Sequence, residues 1–214
     1  MVNAFLAAVC IAGILTLSEL AWRRMKIKGE WARKAVHIIA GTFIAFLPFW
    51  VDYQWIKVLA TGFVLVNLIN RYTNFFHAIH AVKRKSWGEV LFGVGVFMVA
   101  LFEPSPWLFA ASIMQVSIAD GLAALAGVTY GHKHGEYYLF GQPKTYVGSG
   151  VFILSSILIL LSLFLFNNYY AEPLSLWPVL VMLPIVLVSF ENIAVYGLDN
   201  IVLPLVALGV LNMF

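Results

Sequence analysis

The sequence predicts an all-α, polytopic integral membrane protein with about eight transmembrane helices, and three observations carry that prediction. Hydrophobic residues make up 62% of the 214 and charged residues only 11%, with a mean hydropathy of +0.91, well outside the range of soluble globular chains. Apolar runs of helical length recur throughout. The basic residues gather in alternate connections between these runs. A bilayer core about 30 Å thick takes about 20 helical residues to cross, so residues 1–214 read as a single transmembrane domain with no separate soluble domain. Any chemistry has to come from helix ends and connections.

The first apolar run covers residues 2–22. No basic residue precedes it, whereas Arg23, Arg24, Lys26 and Lys28 follow it, the reverse of a secretory signal's charged beginning. It reads as a retained first span with its N-terminus outside. Further runs lie at 35–50, 54–70, 89–102, 107–128, 147–166, 176–190 and 199–214, the fourth being short. Cys10, the single cysteine, excludes an intramolecular disulfide and reads as a small packing residue.

Alternation of eight spans puts the connections 23–34, 71–88, 129–146 and 191–198 on one side. They hold twelve of the thirteen Lys and Arg residues: Arg23, Arg24, Lys26, Lys28, Arg33, Lys34, Arg71, Lys83, Arg84, Lys85, Lys133 and Lys144. The positive-inside rule makes that side cytoplasmic and both termini external, leaving only Lys57 outside, near a span end where it can snorkel. The short outer loops carry Asp52, Glu103 and Glu172 among Trp, Tyr and Pro, a pattern of interfacial anchoring. The remaining candidate acids, Glu89, Asp120, Glu191 and Asp199, face the cytoplasm.

Asp120 stands inside an apolar segment, where a carboxylate costs roughly 2.5 to 3.5 kcal/mol on insertion scales. It is expected to face a polar cavity, a cation or a partner group; a helix-to-helix hydrogen bond is the structural alternative. Ser117, Asp120, Gly121, Ala124 and Gly127 share one helical stripe, readable as close packing or as the wall of a phosphate or metal site. Gly127, Gly131, Gly135 and Gly141 then punctuate a polar loop, read as letting the backbone approach a ligand, and Lys144 and Thr145 lead into the next span through Gly148 and Ser149. Backbone amides at a helix start, a lysine and a hydroxyl suit an oxyanion, and nearby carboxylates suit Mg²⁺. The glycine spacing matches neither a Walker loop nor a dinucleotide fingerprint.

Five blocks in order carry a resemblance. Arg33-Lys34-Ala35-Val36-His37 matches R-K-x-x-H, Gly88-Glu89 a G-E segment, and Asp120-Gly121 with Ala123, Gly127 and Gly131 a D-G-x-A-x-x-x-G-x-x-x-G block. Lys144-Thr145-Tyr146-Val147-Gly148-Ser149 matches K-[ST]-x-x-G-S, and Glu191 with Gly197-Leu198-Asp199-Asn200 and Pro204 an E…D-N…P signature. Together they resemble the integral-membrane family of CTP-dependent lipid-alcohol kinases, which contains dolichol, phytol and farnesol kinases and the CTP-dependent diacylglycerol kinase. The chain departs from the family at Val128, where a basic residue is common, and at Ala119, where glycine is common.

The resemblance implies transfer of the γ-phosphoryl of CTP to a membrane lipid alcohol, with Mg²⁺ as cofactor. It implies Asp120, Lys144, Glu191 and Asp199 as catalytic residues, with Asp120, Glu191 and Asp199 as metal ligands. Arg33, Lys34, Gly121, Gly127, Gly131, Thr145, Gly148 and Ser149 would bind nucleotide. His37 and Glu89 are proton acceptors or structural groups. Partners are then the lipid alcohol, the nucleotide and membrane lipids, with no nucleic acid; the oligomeric state stays open.

Three other readings compete. Phosphatidate cytidylyltransferase is similar to this family, but its P-G-H-G-G…D-R-x-D signature is missing from the sequence. A small transporter would use Asp120 and Glu191 as a relay, yet the acids gather at one face and no inverted repeat is evident. A structural subunit leaves the acids unexplained. His77 and His80 with Lys83, Arg84 and Lys85 read as an interfacial helix or as topology signals, and His77, His80, His132 and His134 as a weak zinc alternative.

Overall fold

The computed structural model describes residues 1–25, 30–73, 87–167 and 173–213. The positions of Lys26, Lys28, His77, His80, Lys83, Arg84, Lys85 and Glu172 lie outside those residues, as do the side chains of His132 and Lys133. The helices are α1 (Val2–Met25), α2 (Glu30–Ala45), α3 (Tyr53–Thr73), α4 (Gly88–Leu101), α5 (Pro106–Met114), α6 (Asp120–His134), α7 (Tyr146–Asn167), α8 (Pro173–Ile193) and α9 (Asp199–Leu211). One feature departs from the all-helical expectation. The segment read as a glycine-rich loop is the end of α6 followed by an antiparallel hairpin of β1 (Glu136–Leu139) and β2 (Gln142–Thr145). Its two-residue turn has positive φ at both Phe140 and Gly141, the twist that suits a tight hairpin.

The fifth predicted span forms the centre of the bundle. Ser105 caps α5 by accepting from the Leu108 amide, and Pro106 supplies a first residue with no amide to satisfy. From there α5 and α6 run on through a single π turn, Gln115–Ala119. The stretch is apolar around its circumference because protein surrounds it: α2, α7 and α9 pack on α5 and on the π turn. Phe109 and Ile113 are fully buried there. Small residues let the neighbouring helices approach, as membrane bundles require. A Cβ on Gly95 of α4 would lie 2.1 Å from the Asn200 carbonyl oxygen of α9.

Faces turned away from this centre are apolar too. Val2, Phe5 and Val9 of α1, Leu154, Leu158 and Leu165 of α7, and Val181 and Met182 of α8 are all more than half exposed, the pattern of an integral membrane protein whose solvent is lipid. Among the described residues four helical stretches are long and apolar enough to cross: Val2–Ala21, Glu30–Phe49, Pro106–Gly131 and Tyr146–Phe166. Gly88–Leu101, Trp177–Ile193 and Asp199–Leu211 are apolar but shorter, and α3 carries Lys57, Asn67, Asn70 and Arg71. Four crossings therefore meet the criterion, against the eight expected.

The two ends of the bundle differ in chemistry. At one, Tyr53 donates to the Pro104 carbonyl at 2.5 Å, Lys57 pairs with Glu103 at 2.9 Å, and the Phe49 and Trp107 rings meet edge to face. Lys57, the isolated base of the sequence pattern, thus has a carboxylate beside it. At the other end Arg71 stacks 3.9 Å over Trp87, and Arg33 and Lys34 of α2 line the same cavity as Lys144 of β2. Gly95→Ala drives a methyl into fixed backbone, so we expect a loss of about 1–3 kcal/mol, read by unfolding of the detergent-solubilised protein.

Candidate active site

The site forms because the π turn and the hairpin bring distant helix ends together. A π turn inserts one residue and rotates everything after it. Ser117 then packs against α2, where a Cβ on Gly41 would lie 2.0 Å from the Ser117 Oγ, and a Cβ on Gly121 would meet Ile38. One turn on, Asp120 meets α2 as well: Lys34 Nζ donates to its Oδ2 at 2.5 Å, with the two residues 6% and 3% exposed. His37, also on α2, is bonded through Nε2 to the Val116 carbonyl oxygen at 3.1 Å and meets Phe92 edge-on. Of its two sequence roles, the structural one is therefore occupied.

The hairpin fixes the next pair. Thr145 caps α7, its Oγ1 accepting from the Gly148 amide at 3.0 Å. Its side chain also fills the space beside α6: a Cβ on Gly127 would lie 3.0 Å from Thr145 Oγ1, and one on Gly131 only 2.3 Å from Thr145 Cγ2. These two glycines admit the threonine. Lys144 then reaches α8, donating to the Glu191 carbonyl at 2.8 Å and pairing with the Glu191 carboxylate. Tyr137, which the sequence did not single out, ties hairpin to helices through Ser149 Oγ at 2.7 Å and Asn192 Oδ1 at 2.8 Å.

The α8–α9 turn delivers the last acid. Tyr196 and Gly197 both have positive φ, a conformation for which Gly197 is well suited, and the Trp87 amide holds the turn by donating to the Tyr196 carbonyl at 3.0 Å. Asp199 follows directly, its Oδ1 accepting from the Asn200 amide and side chain at 3.0 and 2.9 Å. Arg33 pairs within its own helix with Glu30 at 2.5 Å, leaving Nε with no partner among the described residues.

These groups share one cavity of about 840 Å³. Arg33, Lys34, His37, Glu89, Asp120, Gly127, Lys144, Thr145, Gly148, Ser149, Glu191 and Asp199 all line it; among the sequence candidates, Gly121 packs against Ile38 and Gly131 against Thr145. Asp120 and Asp199 act on each other's charge, as do Asp120 and Glu191, so three carboxylates and two lysines address the same space. Among the described residues no three such groups converge tightly enough to cage a metal unaided. That donor set fits Mg²⁺, which commonly takes one or two carboxylates and fills its remaining positions with water and phosphate.

Lys34 is the group on which this arrangement leans most. Lys34→Met leaves Asp120 buried without a counter-charge and should cost about 3–5 kcal/mol. Lys34→Met combined with Asp120→Asn should recover more than about 1 kcal/mol of that loss, measured by unfolding in detergent.

No protein-family model matches the chain, and no solved structure gives a significant match. A phytol kinase of Synechocystis sp. is 27% identical over 206 residues, an alignment spanning 94% of this chain and 86% of that protein. The alignment runs through every block that lines the cavity. The chain is thus similar over nearly its whole length to a phytol kinase, in keeping with the resemblance to membrane lipid-alcohol kinases that its five blocks carry.

Proposed function

We propose that this protein is a CTP-dependent kinase that phosphorylates the hydroxyl of a membrane lipid alcohol, a prenol such as phytol or farnesol or a longer polyprenol, with Mg²⁺ as cofactor. The observation that carries the reading is one cavity lined both by lysine–carboxylate pairs and by apolar side chains. A kinase acting between water and hydrocarbon needs both.

Phosphoryl transfer asks mainly for positioning and charge neutralisation. Without nucleotide, Lys34 and Lys144 are neutralised by Asp120 and Glu191. With a triphosphate in the site, each lysine would turn from its carboxylate to a phosphate oxygen, and Asp120 and Glu191, beside Asp199, would be the residues that hold the ion. An Mg²⁺ held by these carboxylates would supply positive charge to the phosphate oxygens. Arg33 adds a guanidinium whose Nε still seeks an acceptor. The amides at the start of α7, beside Thr145 and Gly148, offer further donors to an anion. Thr145 keeps the helix start in register with Gly127, so its contribution is the shape of the phosphate wall.

The same reading implies eight crossings, with the hairpin cytoplasmic and both termini outside. In a Cys10→Ala background, a cysteine introduced as Phe140→Cys at the exposed hairpin tip should react with an impermeant maleimide only after the membrane is opened. Reaction in sealed, right-side-out vesicles reverses the topology.

The activity is tested with γ-labelled CTP and ATP against phytol, farnesol, polyprenol and diacylglycerol in liposomes. Label should enter a lipid alcohol, with CTP preferred, and should vanish with chelator or with Asp120→Asn. Lys144→Ala should lower kcat by about 10²–10³-fold, the usual cost of losing one charge-stabilising donor. If phosphatidate acquires CMP while no alcohol acquires γ-label, the protein is a cytidylyltransferase.

A further inference from the structure

The residues assigned to phosphate account for only part of the cavity lining. Other lining comes from α3 and α4, which pack on each other, and from α1 and α2. Its apolar walls include Leu15 of α1, Val36 and Ala40 of α2, Phe63 of α3 and Phe92 of α4. An apolar arm on a site that handles triphosphate has no purpose for the nucleotide.

Two acceptors are set into that arm. Asn67 of α3 is 1% exposed and lines the cavity. Its Nδ2 donates to the Phe63 carbonyl of its own helix at 2.8 Å, and its Oδ1 has no partner among the described residues. Glu89 of α4 lines the same wall, and its buried Oε2 also lacks a partner. The antiparallel register aligns them. Arg71 lies over Trp87 and Phe63 lies against Gly93, so Asn67 comes level with Glu89. Arg33, whose charge acts on Glu89, joins this wall to the lysine end.

Buried acceptors call for a donor, and this pair sits where an apolar arm meets a phosphate site. We infer that Asn67 and Glu89 form the acceptor-alcohol subsite: the lipid hydroxyl is shared between Asn67 Oδ1 and the Glu89 carboxylate, and its hydrocarbon chain runs along Phe63, Phe92 and Leu15. This rests on the kinase reading and identifies where its second substrate binds.

Each acceptor has a distinct part. An amide oxygen accepts a hydrogen bond but does not keep the proton, so Asn67 positions the hydroxyl. Glu89 removes the proton as the alcohol oxygen bonds to the γ-phosphorus of the nucleoside triphosphate. The bond from that phosphorus to the β–γ bridging oxygen breaks, its electron pair leaves with the nucleoside diphosphate, and the lipid monophosphate remains. Glu89 then returns its proton to solvent or to product.

A photoactivatable prenol with a diazirine on its chain tests the subsite on the unmodified protein, independently of turnover. Crosslinks should fall on α3 and α4 around Phe63 and Phe92; crosslinks confined to α7 and α8 overturn the proposal even if the protein proves a kinase. Conversely, crosslinks in α3 and α4 without label transfer to any alcohol keep the lipid subsite and remove the kinase reading. Kinetics separate the two residues. Asn67→Leu should raise the KM for alcohol about tenfold or more with that for nucleotide unchanged, and Glu89→Gln should lower kcat at least about 10²-fold with nucleotide binding intact. A rise in nucleotide KM alone for Asn67→Leu, or wild-type kcat for Glu89→Gln, overturns these assignments.

Discussion

A carboxylate in the middle of a helix that protein surrounds must be neutralised before that helix can take its place, and Asp120 is neutralised from α2 by Lys34. The pair is buried on both sides, so desolvation costs several kcal/mol per ion and is repaid only by close geometry. That requirement propagates outward. Lys34 can reach Asp120 only if α2 lies close against the central helix, which Gly41 and Gly121 permit by leaving room for Ser117 and Ile38. It also needs the one-residue phase change of the π turn, without which Asp120 would point to another neighbour.

The helical architecture was legible in the sequence because lipid and backbone both act locally. A run of apolar residues must hydrogen-bond its own backbone, so hydropathy alone announced α1, α2, α5, α6 and α7. The helix start at Lys144-Thr145-Tyr146-Val147-Gly148 was equally readable, although Thr145, read there as a nucleotide-binding hydroxyl, caps the helix in the structure. What escaped was chemistry between elements. Hydropathy does not register a π turn, since its residues differ from helix only in which carbonyl each amide meets. The hairpin was hidden by Phe140, an unusual residue for a turn position with positive φ.

The candidate site divides the same way. Asp120, Glu191, Asp199, Lys34 and Lys144 could be named because charges in an apolar chain are rare and costly wherever they stand. Their pairing could not, because Lys34 lies 86 residues from Asp120 and Lys144 lies 47 from Glu191. Gly127 and Gly131 drew attention as possible ligand contacts, whereas the structure puts Thr145 against them. Asn67 drew none. Asparagine in a helix signals little until its oxygen is found buried, unpartnered and facing a cavity.

On the kinase reading proposed above, the pairing of each lysine with a carboxylate would let a site beside a membrane accept a highly charged substrate. Unpaired lysines in this wall would carry a large desolvation penalty and attract anionic headgroups. Unpaired carboxylates would repel the triphosphate. Matched pairs cancel both effects, and on that reading they would be exchanged, phosphate for carboxylate at the lysines and cation for lysine at the acids. Such an exchange keeps the number of charge contacts nearly constant, so neither ion has to enter bare. It also couples them, since a cation alone would leave Lys34 and Lys144 unmatched and a triphosphate alone would leave Asp120 and Glu191 unmatched. On this reading the two ion pairs would make the binding of metal and nucleotide interdependent, and Asp199, to which no lysine is bonded among the described residues, would be an acid already available to a cation.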